Sequence, residues 1–240
     1  MALWAAIVAA PGELAASYRH LFEAQEEDPR AFYDACRVAF NATRRPELLL
    51  FLLARCAKAA VRYNARGEFN QAPDNRRRGA RPGLVARRLH AAAALLRGRC
   101  TLQTGDYREA LGAVAPGDVA YLDPPYQGVS GPRDRRYVAP LDLGGFLDAL
   151  EAAAKAGVSF LLSFDGRTGG RAHGVALPAG LGLTRVELDA GRSSQATLLG
   201  RAERTVESLY LSPALLERLG GRREVAGHLA GAALTARLAS

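Results

Sequence analysis

Residues 118–128 read DVAYLDPPYQG, and this stretch decides the fold. Asp118 to Leu122 is a short apolar run that predicts a strand, and it delivers Asp123-Pro124-Pro125-Tyr126 to its carboxyl end. In open α/β sheets, ligands bind in the crevice beyond the carboxyl ends of the strands. A proline-stiffened turn alone would also explain two adjacent prolines. A WW-type ligand would not, because that needs PPxY and the chain has PPYQ.

Working outward, the C-terminal side alternates in α/β fashion. A helix is expected over about Leu141 to Ala156 and a strand over Val158 to Ser163. Further strands are expected near Thr184 to Leu188 and Thr205 to Leu211, with a helical tail from Pro213 broken at Gly220-Gly221. On the N-terminal side, a strand at Thr101 to Gln103 leads into a helix from Tyr107 to Val114. The first third reads as helices: Pro11 to about Glu27, then Asp28-Pro29 as cap and first position of the next. A third, apolar helix opens at Pro46 and is expected to run on to Asn64. Residues 64–83 then lose all helical period and read as a hairpin-like excursion, followed by a helix from Leu84 to Leu96. The division this predicts is a helical, target-recognition part over 1–98 and an α/β core with a helical tail over 99–240.

The 240 residues suffice for one large domain, and the apolar half of the composition supports a packed core. No apolar run is long enough to span a membrane: Leu48 to Ala54 is closed by Arg55. The apolar start, MALWAAIVAAPGEL, lacks a positive flank and reads as a helix, not a leader. Cys36, Cys56 and Cys100 are too far apart for a metal knuckle, and four scattered histidines form no ligand set, so no metal is expected. Unpaired cysteines point to the cytoplasm, here in association with the nucleoid. The net charge is +8 and all but Lys58 and Lys155 of the 32 basic residues are arginines. Between Arg62 and Arg88, eight arginines face only Glu68 and Asp74, so +6 falls in this one stretch. Such density suits phosphate neutralisation; an arginine-biased solvated loop is the plainer alternative.

The DPPY turn has a specific chemical use. The exocyclic amine of a base is a weak nucleophile because its lone pair is delocalised into the ring. The Asp123 carboxylate and the Pro124 carbonyl can accept its N–H bonds and present the lone pair to an electrophilic methyl group. Proline removes a competing donor and stiffens the turn. Tyr126 can stack on the base, worth roughly 1–3 kcal/mol, once the base has left the duplex. Catalysis is then mostly positioning.

With these residues the chain resembles the S-adenosylmethionine-dependent amino-methyltransferases, and specifically the Dam-type DNA adenine N6-methyltransferase family. RYNARGEFN at 62–70 looks like that family's RYNxxGxFN segment, which lies in its target-recognition region. Gly105-Asp106-Tyr107 matches its acid after a strand, Ser163-Phe164-Asp165-Gly166 the end of its next strand, and Arg192 through Tyr210 its closing strand pair. The resemblance implies a class I, Rossmann-like methyltransferase sheet with a helical, arginine-rich recognition insert. It implies S-adenosyl-L-methionine as cofactor, with Asp106, Tyr107 and Asp123 holding it, and Asp123, Pro124, Pro125 and Tyr126 as the catalytic turn. Double-stranded DNA is the implied partner, in a restriction–modification or host-marking setting. Its contacts would come from Arg62, Tyr63, Asn64, Arg66, Asn70, Arg76, Arg77, Arg78 and Arg81, and from a second cluster, Arg133, Arg135, Arg136 and Tyr137, after the turn.

The chain also departs from the family. No FxGSG-like loop after a strand precedes residue 62, so the sheet is expected to be incomplete at its N-terminal edge. Three arrangements fit: an N-terminal methylase fragment on another polypeptide, a truncated and inactive remnant, or a diverged substitute loop. An open sheet edge favours a partner fragment or a homodimer. Two other functions stay open at this point: a non-catalytic DNA-binding remnant, and an RNA methyltransferase using the same turn.

Overall fold

The computed structural model describes residues 1–59, 61–125, 141–192, 203–231 and 236–238. They divide into two compact units, Met1–Thr104 and the described residues from Gly105 onward.

The first unit is a helical layer: α1 (Ala2–Ala9), α2 (Pro11–Ala24), α3 (Pro29–Thr43), α4 (Pro46–Arg55) and α5 (Pro82–Leu96). Proline begins α2, α3, α4 and α5, where its missing N–H costs nothing. Asp28 caps α3, accepting from the backbone N–H of Arg30 (3.1 Å) and Ala31 (2.9 Å). Tyr18, Tyr33, Phe51 and Leu52 are fully buried between these helices. Each such side chain is worth about 1.5–3 kcal/mol of burial. Helix α4 stops nine residues before the Asn64 expected from its apolar run. At Cys56 the chain turns extended and bridges Pro73 in antiparallel fashion, so the segment beyond it is drawn back along the helices.

The second unit holds α6 (Tyr107–Gly112), β1 (Ala120–Leu122), α7 (Leu143–Lys155), β2 (Phe160–Thr168), β3 (Arg171–Ala172), β4 (Thr184–Arg192), β5 (Arg204–Leu211), α8 (Pro213–Arg218), α9 (Gly221–Gly231) and β6 (Ala236–Leu238). The sheet is mixed, in the order β1-β2-β5-β4-β6 with β3 beside β2. Only β1 and β2 run parallel, with Leu122 opposite Leu162. The β2–β5, β5–β4 and β4–β6 pairs are antiparallel. Phe146 and Leu150 of α7 cover Phe160, Leu162 and Phe164 on one face; Leu215 and Val225 pack with Val186 and Leu211 in a second cluster.

Three expectations fail here. Thr101–Gln103 is not a strand, because a strand needs a neighbour to bond and no described residues pair with it. The tail is not purely helical, since β6 adds to the edge of β4. The recognition insert is not helical either: residues 61–81 form an irregular path without a helix.

Candidate active site and nucleic-acid interface

In the second unit, β1 ends at Leu122 and Asp123-Pro124-Pro125 leaves its carboxyl end. These three residues line a cleft of about 580 Å³, walled by α6, β1 and Phe146 of α7. The position beyond a parallel strand is the one the sequence predicted. Tyr126 lies outside the described residues, as do Arg133, Arg135, Arg136 and Tyr137.

Asp106 caps α6, accepting from the Arg108 backbone N–H at 2.9 Å and from the Arg108 guanidinium at 3.3 Å. Its side chain is about half exposed, so its carboxylate oxygens retain acceptor capacity. Tyr107 stands edge-on to Phe146 (5.5 Å), and Phe146 leans on Phe164 (6.0 Å). The Arg108 guanidinium lies over the Tyr107 ring at 5.2 Å. The Tyr107 hydroxyl is buried and has no partner among the described residues. A buried hydroxyl without a partner is costly. Among the described residues no group of His, Cys, Asp or Glu is arranged to hold a metal ion.

Farther along β2 the sequence places Asp165, which is buried and sits at φ 54° in a bulge between Ser163 and Gly166. Its carboxylate accepts the Tyr210 hydroxyl at 2.5 Å and meets the Arg185 guanidinium at 3.4 Å. Arg185 also donates to Ser208 Oγ at 2.8 Å. Burial, and then the bond to Asp165, push the Tyr210 hydroxyl up to about 12. This buried acid is therefore committed to the sheet. Sequence reasoning placed Asp165 only at the end of a strand; its partners, 20 and 45 positions away, left no local signal.

In the first unit, RYNARGEFN folds as a tight antiparallel turn. Tyr63 bridges Phe69, the Asn64 N–H donates to the Glu68 carbonyl (2.9 Å) and the Asn70 N–H to the Arg62 carbonyl (2.8 Å). Gly67 takes φ 72°, which favours glycine. Asn64 builds this turn with its side chain: Oδ1 accepts from the N–H of Arg66 and Glu68, and Nδ2 donates to Glu68 at 2.6 Å. Its amide, expected to meet DNA, is thus engaged within the turn. Those bonds from Asn64, followed by one from Arg66, hold the Glu68 carboxyl below its ordinary value. Phe69 is core, edge-on to Phe40 at 6.0 Å. Tyr63 is half-buried against the same core. Arg62, Arg66, Asn70, Arg76, Arg77, Arg78 and Arg81 are exposed.

What holds this irregular segment was not visible in the sequence. Its backbone carbonyls are taken by side chains from the helices. Arg44 donates to Gly67 (3.0 Å), Asn41 to Phe69 (3.1 Å), Tyr33 to Gln71 (2.9 Å), Gln25 to Arg78 (3.0 Å) and Tyr18 to Ala80 (2.6 Å). Arg55 donates to Asp74 (2.9 Å) and to Arg77. Asp74 in turn accepts from the Arg76 N–H (3.0 Å) and from Arg77 Nε (2.8 Å), bonds that hold its carboxyl low.

The second unit thus carries a strand-end DPP turn lining a cleft, and the first unit a basic segment braced by its helices. The family of D12 class N6 adenine-specific DNA methyltransferases matches residues 1–139, and the chain belongs to it. It is also similar to a DNA adenine methylase of Serratia marcescens, 34% identical over 116 residues. That likeness covers 47% of this chain and 41% of the relative, so the match spans less than half the relative's length. Among the described residues no helix is long and apolar enough to cross a membrane.

Proposed function

We propose that the chain takes part in methylation of adenine N6 in double-stranded DNA, with S-adenosyl-L-methionine as donor. The observation that carries this is the Asp123-Pro124-Pro125 turn at the carboxyl end of β1, opening on a cleft that Tyr107 also lines. Asp123 and the Pro124 carbonyl accept the two N–H bonds of a flipped adenine, and Tyr126 stacks on its face. Asp106 and Tyr107 hold the adenosine end of the donor, which supplies an electrophilic methyl group when bound. The apolar walls, Leu122 and Phe146 among them, exclude water from the amine. The exposed arginines at 62, 66, 76, 77, 78 and 81, with Asn70, bind the duplex. Arg135, Arg136 and Tyr137 are proposed to act beside the turn.

The free edge of β1 supports a further part of the reading. Among the described residues β1 pairs only with β2. An additional strand along that edge, from another methylase segment or a second copy, would close the donor pocket. The same open edge favours the second reading, a DNA-binding relative that takes no donor. Calorimetric titration with S-adenosylmethionine separates them. Binding, alone or only with an added N-terminal methylase fragment, supports methylation. No binding in either case supports the second reading.

The decisive test of the turn is Asp123→Ala. Methyl incorporation into adenine should be abolished and duplex affinity should stay unchanged. Retained methylation would overturn the assignment.

A further inference from the structure

Arg55 is the last residue of α4, only 3% exposed, and follows Phe51, Leu52, Leu53 and Ala54 in an apolar helix. A buried guanidinium is expensive unless it is fully answered. No described carboxylate forms an ion pair with this one, though the Asp74 carboxylate acts on it at longer range, and its Nε has no partner among the described residues. Its partners are backbone carbonyls: Asp74 at 2.9 Å, Arg77, and Pro29 at 3.4 Å. Burial lowers its pKa from the usual arginine value, the sign of a desolvated cation. The segment also comes unusually close to it. Gly79, at φ 97°, leaves room where a Cβ would stand 3.2 Å from Arg55 Cδ. With the Asp74 and Arg77 carbonyls turned inward onto Arg55, the arginine side chains of this turn project outward: those of Arg76 and Arg77 are 93% and 69% exposed, while the Asp74 side chain stays buried and pairs with both.

We propose that Arg55 is a positioning residue for DNA recognition: its buried guanidinium grips the Asp74 and Arg77 carbonyls and so sets Arg76, Arg77 and Arg78 outward toward phosphates. This rests on the reading of that segment as the DNA interface. A leucine would suit the helix face better, but it could not hold two carbonyls of an irregular turn. Gln25, whose Nε2 donates to the Arg78 carbonyl, is the second point of the same brace.

The test compares the native chain with Arg55→Met and Arg55→Lys, using duplex affinity across a salt series and amide hydrogen exchange. In Arg55→Met, affinity should fall about tenfold or more, and the slope of log K on log salt should shrink by about 2, since each phosphate contact contributes about 0.9. Exchange should quicken over 74–80 while the α3 and α4 amides stay protected. Arg55→Lys should recover part of both. A folded Arg55→Met with native affinity and slope would overturn the proposal. So would an affinity loss accompanied by equally faster exchange in every helix, which marks a general loss of stability. If Arg55→Met does not fold, Gln25→Leu carries the same expectations at the Arg78 end. Native chain that binds no duplex would overturn the DNA reading, and the positioning role with it; local exchange would then report a purely structural brace.

Discussion

Asn41 offers the cleanest measure of what the braces contribute. Its side chain bonds both backbone groups of one residue: Oδ1 accepts the Phe69 N–H at 2.8 Å and Nδ2 donates to the Phe69 carbonyl at 3.1 Å. Asn41→Asp keeps the shape and the acceptor but replaces the donor with a carboxylate oxygen facing a carbonyl. Losing a partner from a part-buried carbonyl costs about 1–3 kcal/mol. Asn41 is also in the last turn of α3, where a negative charge is disfavoured by about 0.3–1 kcal/mol. The two together come to about 1.3–4 kcal/mol at neutral pH. With a slope of about 2 kcal/mol per molar urea, the midpoint should fall by about 0.7–2 M. The pH sign is definite. A carboxyl facing a carbonyl has a raised folded-state pKa, so the variant's deficit is full above that pKa. It should shrink relative to the native chain as pH falls through it, because the protonated acid can donate again. Urea unfolding of both proteins, monitored at several pH values, measures this. A deficit below about 0.5 kcal/mol, or one that grows on acidification, would refute the argument that a donor to Phe69 is what the site needs.

Two other perturbations read different parts of the molecule. Gly166→Ala should cost more than about 1–2 kcal/mol, because φ is 144° and a Cβ would meet the Val206 carbonyl oxygen at 2.6 Å; thermal unfolding near the native midpoint would count against the bulge being tight. Asp74 is held below its ordinary 3.8 by bonds from Arg76 and Arg77, so its contribution is present above that value and is lost as pH falls through the lowered one. Amide exchange over 74–78 should therefore rise in that acid window in the native chain and show no such step in Asp74→Asn; a step in both would refute it.

The DPP turn was legible because its signals are local. An apolar run followed by an acid and two prolines marks a strand end within a few residues, and β1 does end at Leu122 with Asp123 in a cleft. Helix starts were legible for the same reason, since proline at the first position and Asp28 at the cap act within one turn. Helix α4 was over-extended because hydrophobicity continues past Arg55 while the backbone leaves to bridge Pro73. The strand at Thr101–Gln103 had the right residues but no neighbour among those described, and sheet formation is a property of pairs. Asn64 looked like a base-reading amide from its sequence context. Only the turn geometry shows that both ends of the amide are engaged by residues within four positions.

The least legible feature is how residues 61–81 are held. An irregular segment leaves many of its carbonyls without backbone donors, and buried ones must find donors elsewhere. A helix or hairpin would supply them internally, at the cost of fixing the spacing of the outward side chains to the period of that element. Here Tyr18, Gln25, Tyr33, Asn41 and Arg55 supply donors from neighbouring helices. The segment is thereby ordered without a period, and consecutive residues, Arg76, Arg77 and Arg78, can all face solvent. In a helix about one of the three would turn toward the core, and in a strand every second one would. A run of three outward arginines therefore calls for bracing by side chains, which explains why polar groups are buried among the apolar helices of this unit.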